Sequence, residues 1–118
     1  MKNQGFLKRF QFALRGIGLA ARTERSVQTQ LVFATLICLV LIYLQVNAIW
    51  WAILILTIAL VLSIELINTA IEAVCDLVEP DHHPQIEKIK DIAAGAVLLA
   101  SIASCLIALS FVIYLVKG

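Results

Sequence analysis

Charged residues are scarce in this sequence, and two long stretches contain none. Only 14% of the 118 residues are charged and 62% are hydrophobic, and the mean hydropathy is +0.98. No charge occurs from Ser26 to Ile64 or from Ile92 to Val116. Because one membrane-crossing helix needs about 20 apolar residues, the first stretch predicts two spans and the second predicts one. The composition is therefore that of a membrane protein.

Several other features are missing or few, and each narrows the class of protein. The first 25 residues have no apolar core followed by small cleavage-site residues, so no secretory signal peptide is expected. A net charge of +1 gives no bulk attraction to nucleic acid, so no nucleic-acid partner is expected. Neither a GxxxxGKS/T nor a GxGxxG motif occurs, which excludes nucleotide sites of the P-loop and protein-kinase types. The three cysteines are interpreted as reduced core residues.

The chain divides into an amphipathic start and three apolar spans. Phe6, Phe10 and Leu14 lie opposite the basic residues of the same segment at helical spacing, which predicts a helix in the membrane interface. The expected fold is a single-domain, all-α membrane protein over residues 1–118, with this N-terminal amphipathic helix and three transmembrane helices. The predicted segments are the surface helix at 1–25, spans at 29–47, 48–76 and 92–116, the second continuing into the cytoplasm, and a cytoplasmic loop and helix start at 77–91.

Basic residues set the predicted orientation of these spans. Six of them precede the first span, whereas the turn at Gln45–Asn47 has none. Because Lys and Arg favour the cytoplasmic side, the amino terminus and the connection at 76–91 are expected in the cytoplasm. Three short spans leave little room for an enclosed pocket, so an oligomer with sites between subunits is expected. The six basic residues are Lys2, Lys8, Arg9, Arg15, Arg22 and Arg25.

Acidic residues at the end of the second span share one helix face. At about 100° per residue, Glu65, Asn68, Glu72 and Asp76 fall within an arc of about 80°. Like charges on one face repel, and each carboxylate near lipid is costly, so a hard cation such as Mg²⁺ is the expected partner. Glu65 lies about 25 Å along the helix from Ala48, which is close to the inner edge of a hydrocarbon core about 30 Å thick.

Every span presents an acid at this cytoplasmic rim. Glu24 comes just before the first uncharged stretch, Glu65 ends it, and Asp91 comes immediately before the last one. A carboxylate at the depth of Glu65 can accept the proton of a lipid hydroxyl. Glu72 and Glu24 can hold Mg²⁺ on a nucleotide phosphate, and Lys90 can meet phosphate oxygens. This arrangement suits phosphoryl transfer from a soluble nucleotide to a membrane alcohol.

Two motifs resemble the signature of the prokaryotic diacylglycerol kinase family. They are ELINTAIEAVCD at residues 65–76 and KDIAAGAV at residues 90–97. The resemblance covers nearly the whole chain. It implies a small homotrimeric kinase of the bacterial inner membrane that uses MgATP, shares each site between neighbouring subunits and has its active site on the cytoplasmic side.

The same resemblance implies a role for each site residue. Glu65 is the general base and Asn68 supports it, while Glu24 and Glu72 bind the metal together with ATP. Asp76 helps to hold the site. Further nucleotide contacts are implied for Asp81, His82, His83, Lys90 and Asp91. The lipid is implied to lie near Glu65 and along Arg9, Ser26, Val27, Gln28, Thr29 and Gln30.

Two shorter matches bear on the identity of the lipid. Residues 23–25 with Gln28, and the Asp-His-His-Pro sequence at 81–84, resemble the undecaprenol kinase branch of Gram-positive bacteria. Undecaprenol is therefore favoured over diacylglycerol, and the phosphorylated product is expected to enter cell-wall carrier or phospholipid metabolism. From the residues alone, we interpret His82 and His83 as solvated loop residues.

Three alternatives stay open from the sequence. One is a diacylglycerol kinase that makes phosphatidic acid. Another is a small ion-conducting oligomer, which is disfavoured because Ser63 and Thr57 are the only polar residues of the second span above Glu65. The last is a scaffold that binds a partner through its acidic face, which predicts no nucleotide binding.

Overall fold

The computed structural model describes residues 5–118, and this part of the chain forms four α-helices. They are α1 (Phe6–Thr23), α2 (Arg25–Leu44), α3 (Ala48–Val78) and α4 (Pro84–Lys117). The last three are long and apolar enough to cross a membrane, which confirms the predicted all-α class with three spanning helices. The predicted surface segment 1–25 begins with four residues, among them Lys2, that lie outside the described residues.

A short polar turn joins α2 to α3 at the end opposite the acids. Gln45 closes α2 in the left-handed conformation, with φ 53° and ψ 50°. Asn47 then caps α3, since its side-chain oxygen accepts a hydrogen bond of 3.1 Å from the backbone N–H of Ile49. The helix α2 therefore begins four residues before the predicted span 29–47, and the last three residues of that span form the turn.

The helices α3 and α4 are too long to lie wholly within a bilayer. The 31 residues of α3 extend over about 46 Å, compared with about 30 Å of hydrocarbon. Only residues 79–83 separate α3 from α4. Pro84 opens α4, and His83 caps it by accepting a 3.1 Å hydrogen bond at Nδ1 from the backbone N–H of Gln85. The connection therefore projects beyond the apolar core on the acidic side.

Packing within the chain is dominated by the α3–α4 hairpin, with α2 against α3 and α1 against α2. Small residues make the closest approach, since Ala93 and Ala100 of α4 are both buried. Most large aliphatic side chains of α2, α3 and α4 remain exposed, for example Leu56 at 70% and Leu99 at 70%. Such surfaces belong against lipid or against other copies of the chain.

Two contacts tie the ends of the α3–α4 hairpin. At the outer end, the ring of Trp50 meets Phe111 edge-on at 4.8 Å and lies 5.3 Å from the ring of Tyr114. At the acidic end, the Lys90 ammonium lies 2.8 Å from the Asp76 carboxylate. The register of the two helices is thus held at both ends, which fixes the acidic face of α3 relative to the start of α4.

Candidate active site

The helix α3 buries two polar residues at the depth where the apolar run ends. Glu65 is 5% exposed and Asn68 is 9% exposed, and both lie on the face that carries the four polar residues identified from the sequence. Within residues 5–118, no cation forms an ion pair with Glu65. A buried carboxylate without a cationic partner can accept a proton from a substrate hydroxyl that approaches it.

Asn68 bonds to the next acid along the helix. Its Nδ2 donates a 2.9 Å hydrogen bond to Oε1 of Glu72, one turn away. Its Oδ1 is buried and has no partner in the described part of the chain. The sequence-based role for Asn68 was support of the base Glu65, whereas the bond in the structure orients Glu72. The spacing of four residues was the available signal for this pair.

Glu24 occupies the corner between α1 and α2. It is half-buried, and its backbone is extended at φ −103° and ψ 117°. It lies at one end of a groove of about 450 Å³ between α1 and α3. Thr69 of this groove lies about 60° around α3 from Glu72, but no residue of the acidic face lines the groove. Within the described residues of one chain, Glu24 therefore opens onto a neighbouring side of α3 and not onto the acidic face itself. The groove is lined by Ala13, Gly16, Ile17, Leu19, Ala20, Thr23, Glu24, Leu66, Thr69, Ala70 and Ala73.

The donor set suits Mg²⁺ rather than a transition metal. No group of three or more His, Cys, Asp or Glu side chains is arranged to hold a metal ion among the residues that the structure describes. Magnesium needs no such cage, because it keeps several waters and binds through one or two carboxylates together with substrate phosphates. Glu24 and Glu72 carry oxygen donors of that kind, and Asn68 orients Glu72. The groove that Glu24 lines does not include Glu72, so the described residues of one chain do not bring the two carboxylates into one pocket.

A second pocket lies at the connection between α3 and α4 and gathers five of the residues that sequence analysis assigned to the nucleotide. Its volume is about 230 Å³. Asp81, His82, His83, Lys90 and Asp91 all line it, together with Glu79, Pro80, Ile86 and Glu87. His82 Nε2 lies 3.4 Å from a carboxylate oxygen of Glu87. Residues from a loop and from the first two turns of α4 are thus brought to one place.

Asp76 holds the lysine of this pocket. Lys90 Nζ donates a 2.8 Å hydrogen bond to Asp76 Oδ1. Lys90 precedes the membrane-spanning part of α4, and this hydrogen bond raises the pKa of Lys90 above its ordinary value. The lysine therefore stays protonated at neutral pH, and its ammonium group is held beside Asp76 at the pocket. The sequence named both residues but gave no sign that they pair, since they are 14 positions apart.

The predicted lipid-contacting segment at 26–30 forms the first turns of α2, and much of it bonds within the chain. Val27 is 3% exposed and packs inside the fold. Thr29 donates from its hydroxyl to the carbonyl of Arg25 at 3.0 Å. The Gln28 amide donates to the last turn of α1. Arg9, by contrast, is exposed on α1.

The sequence is similar to known proteins over most of its length. The model of the family described as prokaryotic diacylglycerol kinase matches residues 11–112. An undecaprenol kinase from Bacillus subtilis is 41% identical over 104 residues, which cover 88% of this chain and 85% of that protein. A diacylglycerol kinase from Synechocystis is 38% identical over 83% of this chain and 57% of that protein. A diacylglycerol kinase from Escherichia coli is 31% identical over 83% of this chain and 80% of that protein.

Proposed function

Since the chain belongs to the prokaryotic diacylglycerol kinase family, we propose that it transfers the γ-phosphoryl group of Mg²⁺-bound ATP to the hydroxyl of a membrane lipid alcohol. The observation that carries this proposal is Glu65, a buried carboxylate at the inner end of an apolar span with no cation paired to it in the described residues. Such a group suits proton removal from an alcohol that reaches it from the bilayer.

Glu65 accepts the proton of the lipid hydroxyl, and the alcohol oxygen forms a bond to the γ-phosphorus. The bond between that phosphorus and the β–γ bridging oxygen breaks, so ADP leaves. Glu24 and Glu72 supply carboxylate oxygens for Mg²⁺, with Glu72 oriented by Asn68. When bound, the metal neutralises charge on the phosphate oxygens.

The pocket at the cytoplasmic connection takes the nucleotide. Lys90, braced by Asp76 at 2.8 Å, contacts phosphate oxygens. Asp81, His82, His83 and Asp91 line the same pocket and complete the contacts to ATP. The position of this pocket next to the cytoplasmic ends of α3 and α4 supports delivery of the γ-phosphate toward the acidic face.

Undecaprenol is the proposed acceptor, with diacylglycerol as the second candidate. The similarity to an undecaprenol kinase extends over most of both chains, and residues 23–25, 28 and 81–84 resemble that branch. Relatives named diacylglycerol kinase match at 31–40% identity, which supports diacylglycerol as the second candidate. Both acceptors present a primary hydroxyl at the membrane interface, so the same base serves either one.

The enzyme is proposed to act as a homotrimer in the bacterial cytoplasmic membrane, with its amino terminus and active site on the cytoplasmic side. The basic residues of α1 support this orientation. The extensive exposed aliphatic surface of the spanning helices supports an assembly of several copies.

The deciding experiment is phosphate transfer from γ-labelled ATP by the purified protein in mixed micelles, with a C55 polyprenol and a diacylglycerol compared side by side. Transfer is expected only with Mg²⁺ and to be faster with the polyprenol. Glu65→Gln is expected to lower the rate by about 10²–10⁴-fold, the usual contribution of a general base.

Thr57→Val is the control for that variant, because it removes a polar group about two turns earlier in α3. It is expected to keep wild-type activity. A Glu65→Gln protein that folds and retains full activity contradicts the assigned base. A wild-type protein that labels neither lipid contradicts the kinase proposal, and faster labelling of diacylglycerol reverses the order of the two acceptors.

A further inference from the structure

The connection between α1 and α2 consists of one residue, and that residue is Glu24. The helix α1 ends at Thr23 and α2 starts at Arg25. The Glu24 backbone is bonded on both sides, since its N–H donates to Ala20 O at 2.9 Å and its carbonyl accepts from the N–H of Gln28 at 3.0 Å. Its carboxylate makes no capping hydrogen bond to α2. Among residues 5–118 its carboxylate also has no ion pair, and the backbone at the corner sets the direction in which the side chain leaves the helices.

Gln28, in the first turn of α2, holds this corner through hydrogen bonds to the end of α1. A helix end leaves its last four carbonyls without intrahelical partners. At the end of α1, the Glu24 N–H donates to the carbonyl of Ala20. Gln28 Nε2 donates to Ala21 O at 3.2 Å and to Arg22 O at 3.1 Å. One side chain of α2 thus satisfies two of the open carbonyls of α1 and fixes the angle at which the two helices meet.

We propose that Gln28 is a positioning residue that aims the Glu24 carboxylate at the metal, rather than a contact of the lipid. This inference rests on the proposed function, in which Glu24 is a metal ligand. It differs from the sequence-based expectation for Gln28, because both N–H groups that a lipid head would need are directed at backbone carbonyls. Loss of those bonds lets the corner open and moves Glu24 relative to α3, which it faces across the groove.

The test compares Gln28→Met with Gln11→Met in the full-length protein. Both replace an exposed glutamine by a side chain of similar length without N–H donors, and Gln11 lies on α1 far from the corner. Gln28→Met is expected to raise the Mg²⁺ concentration for half-maximal lipid phosphorylation by about tenfold, at the low end for residues that orient metal ligands. The KM for lipid is expected to stay unchanged, and Gln11→Met is expected to match the wild type.

Gln28→Arg provides a rescue. Its guanidinium keeps N–H donors, and a cation is favourable at the carboxyl end of α1. Its Mg²⁺ requirement is expected to lie close to that of the wild type. If Gln28→Arg needs as much Mg²⁺ as Gln28→Met, hydrogen-bond donation to the carbonyls of α1 does not set the Mg²⁺ requirement. This result overturns the inference.

Two further results overturn the positioning role while the proposed function stands. One is a higher KM for lipid with an unchanged Mg²⁺ requirement in Gln28→Met, which assigns the residue to the lipid. The other is an equal shift of the Mg²⁺ requirement in Gln11→Met. If the wild type transfers no phosphate, the proposed function fails separately. Binding of Mn²⁺ with a non-hydrolysable ATP analogue, followed by electron paramagnetic resonance, then decides the role of Gln28: weaker binding in Gln28→Met alone supports it, and equal binding overturns it.

Discussion

Asn68 is a buried residue, and only one of its two side-chain polar atoms has a hydrogen-bond partner in the described residues. Its Nδ2 donates to Glu72 at 2.9 Å, whereas its Oδ1 is buried without a partner within the described range 5–118. An unsatisfied buried acceptor costs about 1–3 kcal/mol. A side chain retained at that cost is typical of functional sites, where the geometry of a ligand outweighs stability.

Replacement of Asn68 by Leu is expected to separate activity from stability. The variant loses the donor that orients Glu72, so lipid phosphorylation is expected to fall by about 10–100-fold. It also removes the orphaned acceptor, so the free energy of unfolding is expected to be unchanged or higher. The measurements are the phosphorylation rate and thermal unfolding in detergent. Full activity in Asn68→Leu contradicts the orienting role. A loss of stability together with activity shows that Asn68 serves packing instead.

At the scale of elements, the α3–α4 hairpin is the most extensively packed part of the described chain. The Trp50, Phe111 and Tyr114 rings close the end far from the α3–α4 connection, and the ion pair of Asp76 with Lys90 closes the end at that connection. The ion pair is exposed to solvent, which screens it, so it contributes little to stability. The aromatic cluster is therefore the stronger stabilising contact, while the ion pair fixes the Lys90 cation beside the pocket proposed for the nucleotide.

Substitution of Trp50 by Leu is expected to weaken the hairpin without a direct effect on catalysis. Each aromatic pair contributes about 0.5–1.5 kcal/mol beyond buried area, so the loss of two pairs lowers the free energy of unfolding by about 1–3 kcal/mol. Activity below the unfolding temperature is expected to stay near that of the wild type, because the site lies at the other end of α3. Denaturation monitored by circular dichroism measures the effect.

The matched control is Trp51→Leu. Trp51 is also half-buried, but the structure gives it no aromatic pair in the described residues. An equal loss of stability in both variants attributes the effect to tryptophan in general and contradicts a specific role for the cluster.

At the scale of the whole molecule, a single chain leaves most of its apolar surface uncovered by its own residues. No side chain of the described residues is fully buried and large, and most aliphatic residues of the spanning helices are exposed. The described residues of one chain also assemble no metal site of three ligands. Both observations agree with sites completed by a neighbouring copy.

Shared sites predict recovery of activity when two inactive variants are assembled together. If one chain supplies Glu24 and its neighbour Glu72, random co-assembly of Glu24→Gln with Glu72→Gln leaves about one quarter of the sites with both carboxylates intact. The phosphorylation rate of the mixture is expected to recover in that proportion. Each variant mixed with itself is the control. No recovery, with mixed oligomers confirmed by differential tags, means that both carboxylates come from one chain.

The sequence by itself determined the fold class, the three spanning helices and the acidic face of α3. These features depend on hydropathy and on the helical repeat of 3.6 residues, which are properties of neighbouring positions along the chain. The predicted depth of Glu65 at the edge of the bilayer depends on the same arithmetic. The length of α2 was less predictable, because Arg25 and Ser26 are polar and yet begin the helix.

Only the tertiary structure decided which polar groups bond to each other. The pairing of Lys90 with Asp76 requires the turn between α3 and α4 to bring distant positions together. The bonds from Gln28 to α1 require a one-residue corner at Glu24. Asn68 lies between Glu65 and Glu72 on the helix face, and its side-chain rotamer directs its hydrogen bond to Glu72. Hydrogen bonds need distance and direction at the same time, and neither is contained in the spacing of residues along a sequence.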